Sequence, residues 1–145
     1  MNDSEQKMCN IDHLPRLKLA VEIAREAGRL TLRYFNDSKL IIELKEDESP
    51  VTEADRQSEL LLRQRISEAF PHDSILGEEF PEREGTSGYR WILDPIDGTK
   101  SFIHGVPLYG TLIGVERDGT PEIGVICIPA LDECVYAQSG EGAWH

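Results

Sequence analysis

Apolar and small residues recur at three- and four-residue steps across 12–35. Leu17, Ala20, Val21, Ala24, Ala27, Gly28 and Thr31 fall on one face, while Arg16, Glu22, Arg25 and Arg29 fall mostly elsewhere. That period predicts an amphipathic helix. Pro15 sits in its first turn, where a missing N–H is harmless. Ala24, Ala27 and Gly28 would let a second helix approach closely. Leu40-Ile41-Ile42-Glu43-Leu44 is a short strand candidate, followed by a charged loop at 45–49. Thr52, with Asp55 three residues on, has the form of a capping box. It predicts a second helix to about Phe70, with Leu61, Leu62, Ile66 and Ala69 inward and Pro71 as its stop. Ser74-Ile75-Leu76 and Tyr89-Arg90-Trp91-Ile92-Leu93 read as strands, and 81–88 between them is the one candidate mobile loop.

Downstream the period changes to two. Residues 108–116 predict a long strand, Asp118-Gly119 a tight hairpin turn, 122–128 the returning strand and 133–138 a third. Helices first and strands afterwards predict an α+β fold, in which two N-terminal helices pack on a largely antiparallel sheet. Residues 1–145 read as one domain. The sequence ends at Ala143-Trp144-His145, directly after a strand and a glycine-rich turn, so a partner segment covering the sheet is expected.

Composition narrows the partners. Hydrophobic residues make up 39% and charged residues 29% of the 145, an ordinary globular mixture, with a formal net charge of -12. That acidity argues against nucleic acid or an anionic membrane as the main partner. It leaves a phosphate ester open, because a bound cation reverses the local sign. No apolar run approaches the roughly 20 residues of a membrane-spanning helix, and the polar N-terminus has no signal-peptide character. Cys9, Cys127 and Cys134 are odd in number and at no metal-binding spacing. Cys127, in an apolar run, reads as a small buried hydrophobe, and a reducing cytoplasm is the expected setting.

The chemistry concentrates in Trp91-Ile92-Leu93-Asp94-Pro95-Ile96-Asp97-Gly98-Thr99. Asp94 closes an apolar strand and Pro95 is expected to halt the ladder, so that Asp94 and Asp97 project from one bend. Two such anions repel unless a hard cation lies between them, and oxygen donors are what magnesium prefers. The Ile96 carbonyl offers a further oxygen, and the N–H groups of Gly98 and Thr99 can open a helix toward a phosphate. A solvated Asp-rich turn is the plain alternative. Glu78 and Glu79, ending the preceding strand beside Gly77, weigh against it and make a two-metal centre a candidate. Phosphatases of the haloacid dehalogenase type need Asp-x-Asp-Gly-Thr; the extra residue here breaks that geometry, and the early alternating strands and helices are missing.

These motifs, with Val51-Thr52-Glu53-Ala54-Asp55, resemble the signatures of the inositol monophosphatase family in order and spacing. The resemblance runs from the first helix to Trp144 and implies the N-terminal half of a layered αβαβα fold. It implies that Glu78, Asp94 and the Ile96 carbonyl bind one metal, and that Asp94 and Asp97 hold a second. Thr99 backed by Asp55 would orient an attacking water, with Glu79 as a neighbouring water-holding carboxylate and Lys45 near the metals. Gly98 and Thr99 would donate N–H groups to the phosphate, and Lys100 would approach it. No covalent phosphoenzyme is needed.

The run from Lys100 to Ile113 is similar to the histidinol-phosphate phosphatase branch, which implies a magnesium-dependent phosphomonoesterase of histidine biosynthesis acting on L-histidinol phosphate. Inositol 1-phosphate or a 3′-nucleotide bisphosphate is the alternative substrate within the family. Phe102, Pro107 and Leu108 equally read as packing behind the metal loop, and His104 as a surface residue. The resemblance further implies two or three magnesium ions, inhibition by lithium, a small phosphorylated metabolite as partner, and a homodimer. Family members continue for a comparable length and carry a Trp-Asp motif that completes the second metal site. A catalytically incomplete metal-binding or assembly fragment is therefore the competing expectation from another class.

Overall fold

Helix α1 spans Pro15–Leu32, with Pro15 at its start, and buries Leu17, Ala20, Val21, Ile23, Ala24, Ala27, Gly28 and Thr31. The computed structural model describes residues 11–47 and 50–145; Cys9 and the end of the charged loop at 48–49 lie outside them. Strands β1 (Ile42–Leu44) and β2 (Pro50–Thr52) pair as a small antiparallel ribbon. Helix α2 (Glu53–Ala69) opens on the expected capping box, in which Asp55 Oδ2 accepts both the Thr52 N–H at 2.8 Å and the Thr52 hydroxyl at 2.7 Å. Leu62 and Ile66 face inward, whereas Ala69, at the last helical position, is exposed.

The remaining strands are β3 (Ser74–Leu76), β4 (Tyr89–Asp97), β5 (Gly110–Arg117), β6 (Thr120–Ile128), β7 (Glu133–Gln138) and β8 (Gly142–Trp144). They form one six-stranded sheet in chain order. A short helix α3 (Thr99–Ile103) follows β4, and a 3₁₀ turn (Pro129–Leu131) joins β6 to β7. Asp118 and Gly119 both take positive φ, the conformation that closes a two-residue hairpin with the right twist. The α+β expectation holds, with one refinement: β3 and β4 are parallel, Ser74 facing Arg90 and Leu76 facing Ile92.

One face of the sheet meets the helices. Trp91, Leu93, Ile113, Val115, Ile123 and Val125 are buried there with the apolar stripe of α1. Each such side chain contributes about 1.5–3 kcal/mol by leaving water. Gly28 serves this packing differently from expectation. A Cβ at Gly28 would lie 2.9 Å from Pro129 Cγ, so the 3₁₀ turn is what approaches, rather than a helix. The other face carries Ile92, Ile126 and Val135, which remain exposed.

Three further expectations are corrected. The β4 ladder does not halt at Pro95; it continues to Asp97 through a bulge between Asp94 and Asp97. Pro95 has no N–H to offer the ladder, and a bulge is where such a residue fits. The long strand begins at Gly110, leaving Leu108 exposed before it. Cys127 is buried, yet not as a lone hydrophobe: it lies opposite Cys134 across β6 and β7 and is disulfide-bonded to it.

The segment 81–88, marked in the sequence as the mobile loop, is tied down. Arg83 exchanges two backbone hydrogen bonds of 2.9 Å with Ile75. Gly85 N–H donates to Ser74 Oγ at 2.8 Å, and the Ser87 hydroxyl donates to Asp73 at 2.6 Å. Asp73 is buried and also accepts Arg16 Nε and Trp91 Nε1, each at 2.8 Å.

Candidate metal and phosphate site

A strand residue three positions from another normally points to the opposite face of the sheet. The bulge changes this for the two aspartates. Asp94 pairs with Leu112 and Asp97 with Gly110, two residues apart on β5, so Asp94 and Asp97 share one face. Thr111 Oγ1 donates to the Pro95 carbonyl at 2.9 Å and pins the bulge from the next strand. Sequence spacing put the pair on a bend; the register shift is what aligns them.

Parallel pairing of β3 and β4 does the second job. Both strands run the same way, so Gly77-Glu78-Glu79, beyond the end of β3, emerges beside Asp94. An antiparallel β3 would have delivered the glutamates to the opposite end of β4, away from Asp94. The capped start of α2 supplies Asp55, and the residue after β1 supplies Lys45.

Together Lys45, Asp55, Glu78, Glu79, Asp94, Ile96, Gly98, Thr99 and Lys100 line an open cavity of about 300 Å³. Asp97 is exposed and is not among the residues lining this cavity, but it lies within hydrogen-bonding reach of Asp94. Nearly every residue singled out from the sequence is therefore gathered here. The Thr99 hydroxyl lies 3.3 Å from Asp55 Oδ1 and 3.2 Å from the Ile96 carbonyl, and it can donate to either. Lys45 Nζ donates to Glu79 Oε1 at 2.7 Å.

The electrostatics of the cavity are those of crowded anions. Burial, then Glu78, Asp97 and Asp55, push the Asp94 carboxyl up to about 7. Burial raises the Glu79 carboxyl as well, and Asp55 and Glu59 add to that against the opposing pull of Lys45. Burial works against the Lys45 ammonium, but Glu79, Glu78 and Asp55 outweigh it and hold its pKa above the ordinary value. Among the described residues no group of three or more His, Cys, Asp or Glu side chains is closed around a point where a cation could already be held. The donor set is entirely oxygen, acidic and over-charged, which is the chemistry that fits a hard divalent cation.

Gly98 has φ +88 and caps α3, a turn that an L side chain adopts only with strain. Helix α3 has five residues, so its dipole is small, and an anion held there would depend on individual N–H groups. Phe102 is buried behind this turn against Tyr109 at 4.9 Å between ring centroids, while the Pro107 and Leu108 side chains are exposed. His104 is exposed and its Nδ1 lies 2.6 Å from the Lys100 carbonyl. Glu59 was missed in the sequence. It is fully buried and contacts the Gly77-Glu78-Glu79 turn, and only its i,i+4 spacing to Arg63 could have marked it.

Residues 12–145 match the inositol monophosphatase family. The chain is 55% identical over 130 residues to a histidinol-phosphatase of Chlorobaculum parvum, covering 90% of this chain and 50% of that protein. It is 38% identical to an inositol-1-monophosphatase of Rhizobium meliloti, with 88% and 49% covered. Among solved structures, the extragenic suppressor protein of Bartonella henselae superimposes with a TM-score of 0.86 at 36% identity, over 90% of this chain and 51% of that one. An inositol monophosphatase of Thermotoga maritima gives 0.82 at 32% identity. The chain thus spans about half the length of the relatives it matches.

Proposed function

Since the chain belongs to the inositol monophosphatase family, we propose that it carries the metal- and phosphate-binding half of a magnesium-dependent phosphomonoesterase. The observation that carries this reading is the convergence of Asp94, Glu78, Asp55, Thr99 and two lysines on one cavity, a crowding that pushes the Asp94 carboxyl up to about 7. Crowded carboxylates of this kind would oppose a phosphate unless divalent cations were held among them. Glu78, Asp94 and the Ile96 carbonyl would hold one ion, and Asp94 with Asp97 a second. Bound ions of this kind neutralise a phosphate and acidify water.

The protein's own groups supply the rest. Asp55 uses one oxygen to cap α2 and leaves Oδ1 for Thr99. With its proton donated to Asp55, the Thr99 oxygen accepts a hydrogen bond from the attacking water and orients it. The N–H groups of Gly98 and Thr99, and the Lys100 ammonium at the cavity edge, would receive the phosphate. Glu79, fixed by Lys45, would hold a second water.

The proposed substrate is L-histidinol phosphate, supported by the 55% identity to a protein of that activity. Inositol phosphate is the second reading, favoured by the solved inositol monophosphatase at 32% identity. Further chain is proposed to complete the second metal site and to cover the exposed face at Ile92, Ile126 and Val135. The deciding experiment measures phosphate release by the intact protein from histidinol phosphate, inositol 1-phosphate and adenosine 3′,5′-bisphosphate, with and without magnesium. Magnesium-dependent release, fastest from histidinol phosphate and abolished by Asp94→Asn, is expected. Turnover without magnesium would overturn the mechanism, and a preference for inositol phosphate would overturn the substrate.

A further inference from the structure

Two charged residues of α2 take no part in that chemistry, yet both reach the strand end that carries Glu78 and Glu79. Glu59 has no exposed surface, although it is ionisable. Its Oε1 accepts the Glu79 backbone N–H at 2.9 Å, and its Oε2 accepts Arg63 Nε at 2.9 Å. Arg63 in turn donates from its two terminal nitrogens to the carbonyls of Pro81 at 2.9 Å and Phe80 at 3.0 Å. One carboxylate and one guanidinium, a helical turn apart, thus bind three successive backbone groups of residues 79–81.

Gly77 belongs to the same device. A Cβ there would stand 2.7 Å from Glu59 Oε2 and closer still to the rest of the carboxylate. Gly77 does not have a positive φ, so the glycine is required for space and not for backbone freedom. Glu59 cannot step aside cheaply, because moving it breaks its bonds to Glu79 and Arg63.

We propose that Glu59 and Arg63 are positioning residues, a clamp on α2 that fixes residues 77–81 so that Glu78 and Glu79 face Asp94 across the cavity. The inference rests on the metal-site reading above and deepens it. A buried charge is costly unless fully hydrogen-bonded, and here one bond goes to the ligand-bearing turn and the other to Arg63, which holds the same turn. Lys45 completes the control of Glu79, holding its side chain while Glu59 holds its backbone.

The test compares Glu59→Gln, Arg63→Gln, Gly77→Ala and Asp94→Asn with the wild type in the intact protein. Manganese is titrated by electron paramagnetic resonance, and amide hydrogen exchange is followed at Glu79 and at buried positions of β5. The clamp predicts manganese binding weakened about tenfold to a hundredfold in the first three variants. Glu79 exchange should accelerate in them while β5 stays protected. Glu43→Gln, which breaks an exposed pair to Arg56 of the same helix, should change neither. Gly77→Ala removes no charge, so it carries the test if Glu59→Gln fails to fold. Wild-type manganese affinity in the Glu59, Arg63 and Gly77 variants, with Asp94→Asn impaired, would overturn the clamp and leave the metal reading standing. Equal manganese binding by wild type and Asp94→Asn would overturn the metal reading and the clamp's purpose with it.

Discussion

Asp55 serves two residues at once: its Oδ2 caps helix α2 through Thr52, and its Oδ1 lies 3.3 Å from the Thr99 hydroxyl. A residue that looks like a helix cap in the sequence is therefore also joined to the Gly98-Thr99 turn, 44 positions away. The two duties can be separated by mutation.

Thr99→Val removes the hydroxyl and leaves the cap intact. Phosphate release should fall about 10²- to 10⁴-fold, the range for a lost general-base contact, with the thermal midpoint nearly unchanged. Asp55→Ala should lose the activity and also about 1 kcal/mol of stability through the cap. Turnover assays beside thermal unfolding of both variants check this, and equal destabilisation by the two would contradict it.

On the proposed metal site, proton competition at Asp94 sets a pH dependence for cation binding. Burial and the neighbouring carboxylates push the Asp94 carboxyl up to about 7, and a cation needs it ionised. Magnesium affinity should therefore fall about tenfold per pH unit below 7 and level off above it. The sign for stability is the reverse: a carboxyl raised above its unfolded value is favoured in the folded state while protonated. The metal-free protein should therefore lose stability as pH climbs from about 4 to 7. Calorimetric titration from pH 5.5 to 8, with Asp94→Asn as the flat control, is the measurement.

Asp73 behaves in the opposite sense. Burial works against its charge, but Arg16, Ser87 and Trp91 outweigh that and lower its pKa. Its stabilising effect is full above the unfolded value of about 3.9 and disappears as pH falls through the lower folded value. Asp73→Ala at neutral pH should cost about 3–5 kcal/mol, because it strands the Arg16 guanidinium between the Phe70 and Tyr89 rings. Urea unfolding at pH 7 and pH 3 tests both statements.

The cysteines give a counting experiment. Of three in the sequence, Cys127 and Cys134 are bonded to each other. Denatured, unreduced protein should release one titratable thiol, and three after reduction. Reduction should cost about 2 kcal/mol for so short a loop. Three thiols without reductant would mean that the pair is open.

The sequence by itself determined what depends on neighbours along the chain. The stripe from Leu17 to Thr31, the Thr52–Asp55 cap and the Asp118–Gly119 turn were legible because capping and helical period act over four residues or fewer. The spacing of Asp94, Asp97, Gly98 and Thr99 was legible for the same reason. Only the tertiary structure decided the parallel pairing that delivers Glu78 to Asp94, and the bulge that puts Asp94 and Asp97 on one face. It also decided the reach of Glu59 to the Glu79 N–H and the pairing of Cys127 with Cys134. Those are matters of register between strands and of packing between distant elements. A shift of one residue inverts every side chain on a strand, and local composition does not specify it.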